Sequence, residues 1–168
     1  MIKKIYIKIE NMKDRILWLL DDLEISYTNY EHNPTFTCDD CKWLDIPGKR
    51  VKSLLLNNKK KTQFYMVVLE DEKRLDSSII RKSFWEPKVS FISEERMKEK
   101  IWVTPGHVSP FALINNEEKD IKVIMDSELK WQELWFHPGR NDNTVVLNNS
   151  DVEKYLEKLW FEVYFMDL

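Results

Sequence analysis

Glycine is scarce in this sequence, with only 3 in 168 residues. Average usage of ~7% would give roughly a dozen at this length. Tryptophan is correspondingly abundant, with 7. Cysteine appears twice, and the opening stretch Met1–Glu10 has no apolar h-region and no small-residue cleavage site. No export signal is therefore expected, and a reduced cytoplasm is the simplest compartment. No apolar run approaches the ~20 residues that span a bilayer, so no membrane partner is expected. The net charge of -3 excludes a generic polyanion binder, because a protein held mainly by phosphate contacts is usually basic. Any contact with RNA should be small and local. Lys49-Arg50 with Lys52, and Lys59-Lys60-Lys61, could provide it, although both clusters, the second above all, also read as solvated turns.

Hydrophobic residues make up 43% and charged residues 33%. That balance suits one soluble domain over residues 1–168 with a real core. There is no repeat, low-complexity tract or Pro/Gly-rich linker. Residues 1–10 fit either a strand or a helix. Met12, Ile16, Leu20 and Leu23 mark a helical face with Asn11 as a plausible cap, and residues 25–31 look extended. Thr37 opens a T-x-x-D cap for a short helix over 38–44.

Leu54–Asn57 and Gln63–Leu69 flank a polar turn and predict a hairpin. Asp76–Ser83 predicts a short helix, Val89–Phe91 a strand, and Ser93 to about 101 a second helix. Phe111–Ile114 and Ile121–Met125 predict another hairpin. Thr144–Leu147 reads as a strand, and Ser150–Glu153 as a capping box leading a helix with Val152, Tyr155, Leu156 and Leu159 on one face. Phe161–Phe165 closes as a strand. Hairpins interspersed with short helices argue an α+β fold with a mixed, largely antiparallel sheet.

The loop Thr104–Pro110 carries the most chemistry. Pro105 and Pro110 restrict the backbone, and Gly106 permits φ > 0. The N–H groups of His107, Val108 and Ser109 could converge on one point, which is a way to bind a carbonyl oxygen or oxyanion. An ordinary Pro/Gly connection reads the same way from local sequence. No Ser-His-Asp or Cys-His nucleophile set is evident. Cys38 and Cys41 form a single C-x-x-C, weak evidence for zinc without a second pair. Ordinary packing is the reading preferred for them, and a structural role beside Pro34 for His32. No metal or cofactor is expected.

The G-x-x-x-P pattern Gly106-His-Val-Ser-Pro110 resembles the signature loop of the YbaK/ProX editing-domain superfamily. Ser109-Pro-Phe111 and Phe136-His-Pro138, followed by Asn143-Thr144, resemble its free-standing prolyl-tRNA editing branch. So do Phe36-Thr37, Pro47-Gly48, Val51–Leu56, Val67–Leu69 before Arg74–Asp76, Ser90-Phe91 and Val163–Leu168. The similarity runs collinearly from about residue 12 to the end.

The resemblance implies an aminoacyl-tRNA deacylase that removes alanine wrongly attached to proline tRNA by water attack on the ester. It places the family lysine at Lys52, where it positions ester and water. Gly106, His107, Val108, Ser109 and Pro110 then hold the ester carbonyl and terminal ribose, and His137 helps bind the aminoacyl end. Such roles suit the chemistry, because ester hydrolysis builds negative charge that a confined lysine and fixed N–H groups stabilise. By period-2 alternation Lys52 shares a strand face with Leu54 and Leu56, although a surface lysine on an edge strand remains an alternative, as does a satisfied loop histidine for His137. Thr35, Phe36 and Val51 are candidate side-chain selectors, with core packing the alternative for Phe36.

Two departures stand out. Ser53 replaces the family's usual Asn, leaving amino-acid preference open, and Ala112 replaces a Gly. The expected partner is the aminoacylated 3′ end of tRNA, and a prolyl-tRNA synthetase is a further candidate. A pocket sized for alanine would exclude proline by overlap. Cys-tRNA(Pro), Ser-tRNA and a non-catalytic aminoacyl-end or small-molecule binding module are the alternatives.

Six of the seven tryptophans, at 43, 85, 102, 131, 135 and 160, fall where the resembled family tends to have glycine. Either these are authentic tryptophans exposed for binding, or UGA codons for glycine have been translated as tryptophan. Backbone geometry separates the two, since φ > 0 is costly for a residue with a Cβ.

Overall fold

The computed structural model describes residues 11–35 and 38–168. The predictions for residues 1–10 and for Phe36 and Thr37 lie outside these. Helix α1 (Met12–Asp22) is capped by Asn11, whose side chain accepts the Asp14 N–H, and it buries Ile16, Leu19 and Leu20. Strand β1 (Thr28–Glu31) and the short helix α2 (Cys38–Cys41) follow. Then come β2 (Lys49–Asn58), β3 (Phe64–Glu70), α3 (Ser77–Ser83), β4 (Val89–Phe91) and α4 (Glu94–Ile101). A 3₁₀ segment over Pro110–Asn115 leads to β5 (Ile121–Asp126). The chain continues through β6 (Glu133–Phe136), β7 (Asn143–Asn148), helix α5 (Asn149–Lys158) and β8 (Val163–Met166).

The strands form one mixed sheet in the order β1-β7-β6-β2-β3-β5-β8, with β4 also pairing β2. The β1–β7, β2–β3, β2–β4 and β6–β7 pairs are antiparallel. The β2–β6, β3–β5 and β5–β8 pairs are parallel. Strand β3 is the spine: Phe64, Met66 and Val68 enter the main core, while Tyr65, Val67 and Leu69 enter a second cluster with Leu56, Ile80 and Ile124. An unbroken apolar run is what a strand covered on both faces requires.

Three sequence expectations are corrected. Phe111–Ile114 is not a strand but part of the 3₁₀ segment, and β5 pairs in parallel with β3 and β8 instead of forming a hairpin. Pro110 at the first position suits a helical start, and burial of Phe111, Ala112 and Leu113 explains the apolar run that resembled a strand. The last helix is capped by Asn148, whose side chain accepts the Ser150 N–H, so it begins before the Ser150 box.

Phe111 holds this corner together. Its ring meets Phe136 and Tyr155 edge-on at centroid distances of 5.5 and 5.0 Å, and the Tyr155 hydroxyl donates to the Phe111 carbonyl at 3.1 Å. Phe111→Ala should cost about 3–5 kcal/mol of folding stability through the cavity left behind, as read from urea unfolding; a loss below about 1 kcal/mol would show that the corner repacks.

Candidate functional site

Strand β2 is bordered along one edge by β3, from Val51 to Asn57. Its other edge meets β6 at Lys49 and Arg50, and β4 from Leu56 to Asn58. Between Arg50 and Leu56 that edge carries no strand pairing among the described residues. A pocket of about 240 Å³ opens here, lined by Val51, Lys52 and Ser53 from β2. Gly106, Val108 and Ser109 line it from the loop, and Thr35, Trp135, Phe136, His137 and Thr144 from the β6–β7 side.

The structure thus brings Lys52, Ser53, Val51, Gly106, Val108, Ser109, Thr35 and His137 to one cavity. It leaves two of the expected residues off the lining. Pro110 is buried at the start of the 3₁₀ segment. His107 turns back into its own loop: its N–H donates to the Thr104 carbonyl at 3.1 Å, and its Nδ1 lies 3.1 Å from the Thr104 hydroxyl. The His107 amide is therefore committed to the turn and does not join a converging set. Gly106 makes that turn possible, with φ +87 following Pro105. Among the described residues, the Val108 and Ser109 amides have no protein acceptor, and the Ser109 hydroxyl donates to the His137 carbonyl at 3.0 Å, tying the loop to the pocket histidine.

Gly48 sits at the entry to β2 with φ +98, where a Cβ would lie 3.1 Å from the Glu133 carbonyl and from Val146 Cγ1. Only glycine allows β2 and β6 to approach so closely there.

Lys52 Nζ donates to the Asp71 backbone carbonyl at 2.9 Å. The Asp71 carboxylate, with 6% of its side chain exposed, pairs instead with Arg50 Nη2 at 3.2 Å. One residue just past β3 therefore holds both cations with different groups. The carboxylate meets Arg50, and Lys52 receives only a neutral acceptor. A lysine ammonium has three donors, so two remain for a ligand, and no carboxylate within 4.0 Å neutralises its charge among the described residues. Sequence reading had not singled out Asp71. The hairpin register, which sets Val51 opposite Glu70, contains the signal if extended by one residue.

The pocket histidine has an assigned tautomer. His137 Nδ1 lies 2.9 Å from the Asn143 carbonyl; a carbonyl only accepts, so Nδ1 carries the proton. The same logic applies to His32, whose Nδ1 faces the Asn33 carbonyl at 2.7 Å. Its Nε2 then accepts from the Thr144 hydroxyl at 2.8 Å. Thr144 keeps a lone pair for His137 Nδ1, 3.4 Å away. His137 Nε2 is left as an acceptor on the side of Thr35, whose hydroxyl is 3.4 Å away and also donates to the Asn141 carbonyl at 3.2 Å. Burial lowers the His137 pKa below the ordinary histidine value, and the neighbouring His32 and His107 add to this against the raising effect of the Asn143 carbonyl. At neutral pH the ring is uncharged, with a lone pair available for a substrate N–H or a water.

A larger open groove of about 760 Å³ shares Arg50, Asp71, Cys41 and Trp135 with the pocket and extends past Gly48, Lys49 and Lys42. The pocket thus combines, among the described residues, a lysine without a carboxylate partner, a histidine nitrogen left as an acceptor, and an open approach from the neighbouring groove.

The aminoacyl-tRNA editing domain model matches residues 32–155. The prolyl-tRNA editing protein ProX of Acetoanaerobium sticklandii is 34% identical over 148 residues, covering 86% of this chain and 90% of that protein. The prolyl-tRNA synthetase associated domain-containing protein 1 of Danio rerio is 27% identical, covering 83% of this chain and 78% of that protein. A crystal structure described as a candidate trans-editing enzyme for prolyl-tRNA synthetase superposes with a TM-score of 0.68 at 16% identity, over 94% of this chain and 98% of that one, a likeness of fold. The chain belongs to the aminoacyl-tRNA editing domain family and is an aminoacyl-tRNA deacylase. No helix among the described residues is long and apolar enough to cross a membrane.

Because the folded state lowers the His137 pKa, the unfolded chain binds the proton more readily. Stability should therefore fall as pH drops through about 6.5, the unfolded histidine value, towards the lower folded value. Replacing His137 with Gln should flatten this part of the stability–pH curve in urea titrations; identical curves for the two proteins would contradict the assignment.

Proposed function

We propose that this chain is a trans-editing deacylase whose substrate is proline tRNA mischarged with alanine, acting in the cytoplasm on tRNA released by a prolyl-tRNA synthetase. The observation that carries this reading is that Lys52, Val108, Ser109 and His137 line one small cavity. The relative from Acetoanaerobium sticklandii is named for prolyl-tRNA editing, which supports the choice of tRNA.

In this reading the aminoacyl ester enters with its carbonyl oxygen towards Lys52 and the loop amides. Water attacks the carbonyl carbon. The tetrahedral oxyanion is stabilised by groups that are already oriented, so no reorganisation is needed as charge develops. The C–O bond to the terminal ribose then breaks, and the proton balance is met by the ribose hydroxyl that leaves. His137 Nε2 accepts from the α-amino group or from the attacking water. Val51 and Ser53 face the amino-acid side chain together with Thr35, and proline is excluded there by overlap. The groove beyond Arg50 and Lys49 receives the terminal nucleotides, a small and local contact in keeping with the net charge of -3.

The test is release of free amino acid from Ala-tRNA(Pro), Cys-tRNA(Pro) and Ser-tRNA. Ala-tRNA(Pro) should be hydrolysed fastest. Lys52→Ala should lower the rate by roughly 10²–10³, the loss typical of a removed oxyanion donor. Faster hydrolysis of another substrate would transfer the assignment to that tRNA, and an unchanged Lys52→Ala rate would remove Lys52 from the mechanism.

A further inference from the structure

Among the described residues, seven other than glycine have φ between +53 and +66, and four of them are tryptophan: Trp85, Trp102, Trp131 and Trp160. Tryptophan supplies only 7 of the 168 residues, so composition does not account for the excess. Left-handed backbone is sterically costly for any residue with a Cβ.

Each of the four occupies a position where backbone geometry favours glycine. Trp85 follows α3, and the Glu86 N–H beyond it reaches back to the Arg81 carbonyl at 2.8 Å. Trp160 follows α5, and the Phe161 N–H reaches the Leu156 carbonyl at 3.0 Å. Both are Schellman closures with the tryptophan at the left-handed position after the cap, the usual place for glycine. Trp102 ends α4 with φ 60 and ψ 28, its N–H on the Lys98 carbonyl. Trp131 is the third residue of the turn Leu129–Gln132. Lys130 before it has φ -55 and ψ 133, Trp131 has φ 65, and the Gln132 N–H closes on the Leu129 carbonyl at 3.2 Å. That is a type II turn, whose third position calls for glycine.

The side chains gain little in return. Exposures are 93% for Trp85, 61% for Trp102, 81% for Trp131 and 86% for Trp160. Arg15 lies 6.0 Å from the Trp102 ring centre, which is a rim contact and not burial. The other three left-handed residues, Glu24, Lys61 and Lys119, are charged and at home on a surface. Trp18 is the internal contrast: it lies within α1 and packs against the main core.

We propose that the gene encodes glycine at positions 85, 102, 131 and 160 by UGA codons, in a translation system that reads UGA as glycine. UGA and the glycine codon GGA differ only in the first base, so one changed anticodon base in a glycine tRNA makes the reassignment. The glycine shortage has the same origin, since these positions raise the count from 3 to 7. Trp135 is not included, because its backbone is ordinary strand and its indole N–H donates to the Pro47 carbonyl at 2.6 Å. Trp43 also lacks positive φ.

Two measurements test the proposal. The gene should carry UGA at all four positions and UGG at Trp18; UGG at the four would overturn it. The protein carrying Trp85→Gly, Trp102→Gly, Trp131→Gly and Trp160→Gly together should melt roughly 10 °C above the tryptophan form, at ~2–4 °C per site or more for a chain of this size. Trp18→Gly should melt lower than the tryptophan form. A quadruple variant with an unchanged or lowered Tm would overturn the physical basis of the proposal.

Discussion

The structure turns on the unequal edges of β2. One edge is sealed by β3 for almost its full length, while the other is paired, among the described residues, only at its ends, by β6 and by β4. A ten-residue strand pinned at both ends cannot slip in register without moving β3, β4 and β6 together, because one residue of slip would turn every side chain to the wrong face. The open stretch between those anchors is consequently both rigid and accessible. It is where a pocket can use strand residues as walls without sacrificing sheet cohesion.

The loop Thr104–Pro110 is rigid for a different reason. Its Pro-Gly turn is closed by the His107 amide, and its far end is fixed by burial of Pro110 and Phe111. The Ser109 hydroxyl on the His137 carbonyl then joins loop to strand end. Phe111 and Phe136 pack directly against each other beneath the same junction. The two sides of the pocket therefore share one piece of core, so a packing defect at Phe111 would alter site geometry as well as stability.

Much of this was legible in the sequence, and the failures have physical causes. The hairpin between β2 and β3 was readable because β3 is an unbroken apolar run beside a polar turn. The pocket loop was readable because proline and glycine constrain dihedrals locally. Phe111–Ile114 misled because a short buried apolar run has no periodicity that separates strand from 3₁₀ segment. The commitment of the His107 amide to its own turn depends on a backbone hydrogen bond that residue types do not announce. Asp71 went unnoticed because its role arises from cross-strand register and from its main-chain carbonyl, which carries no side-chain signature at all.

In the proposed mechanism, that carbonyl accounts for how an acidic protein presents a positive charge to an ester. Had the Asp71 carboxylate bonded Lys52, the pair would be close to neutral, and little field would remain for a developing oxyanion. Instead Arg50 takes the carboxylate and Lys52 takes the carbonyl. The carbonyl orients Lys52 without neutralising its charge. His137 complements it by remaining neutral: burial discourages a second positive charge, and the Asn143 carbonyl fixes which nitrogen keeps the lone pair. A cation that attracts the ester oxygen and a neutral acceptor for a proton on nitrogen or water are different requirements. In the proposed mechanism the site meets them by giving Lys52 and His137 each a neutral main-chain carbonyl as its anchor, which sets orientation without setting charge.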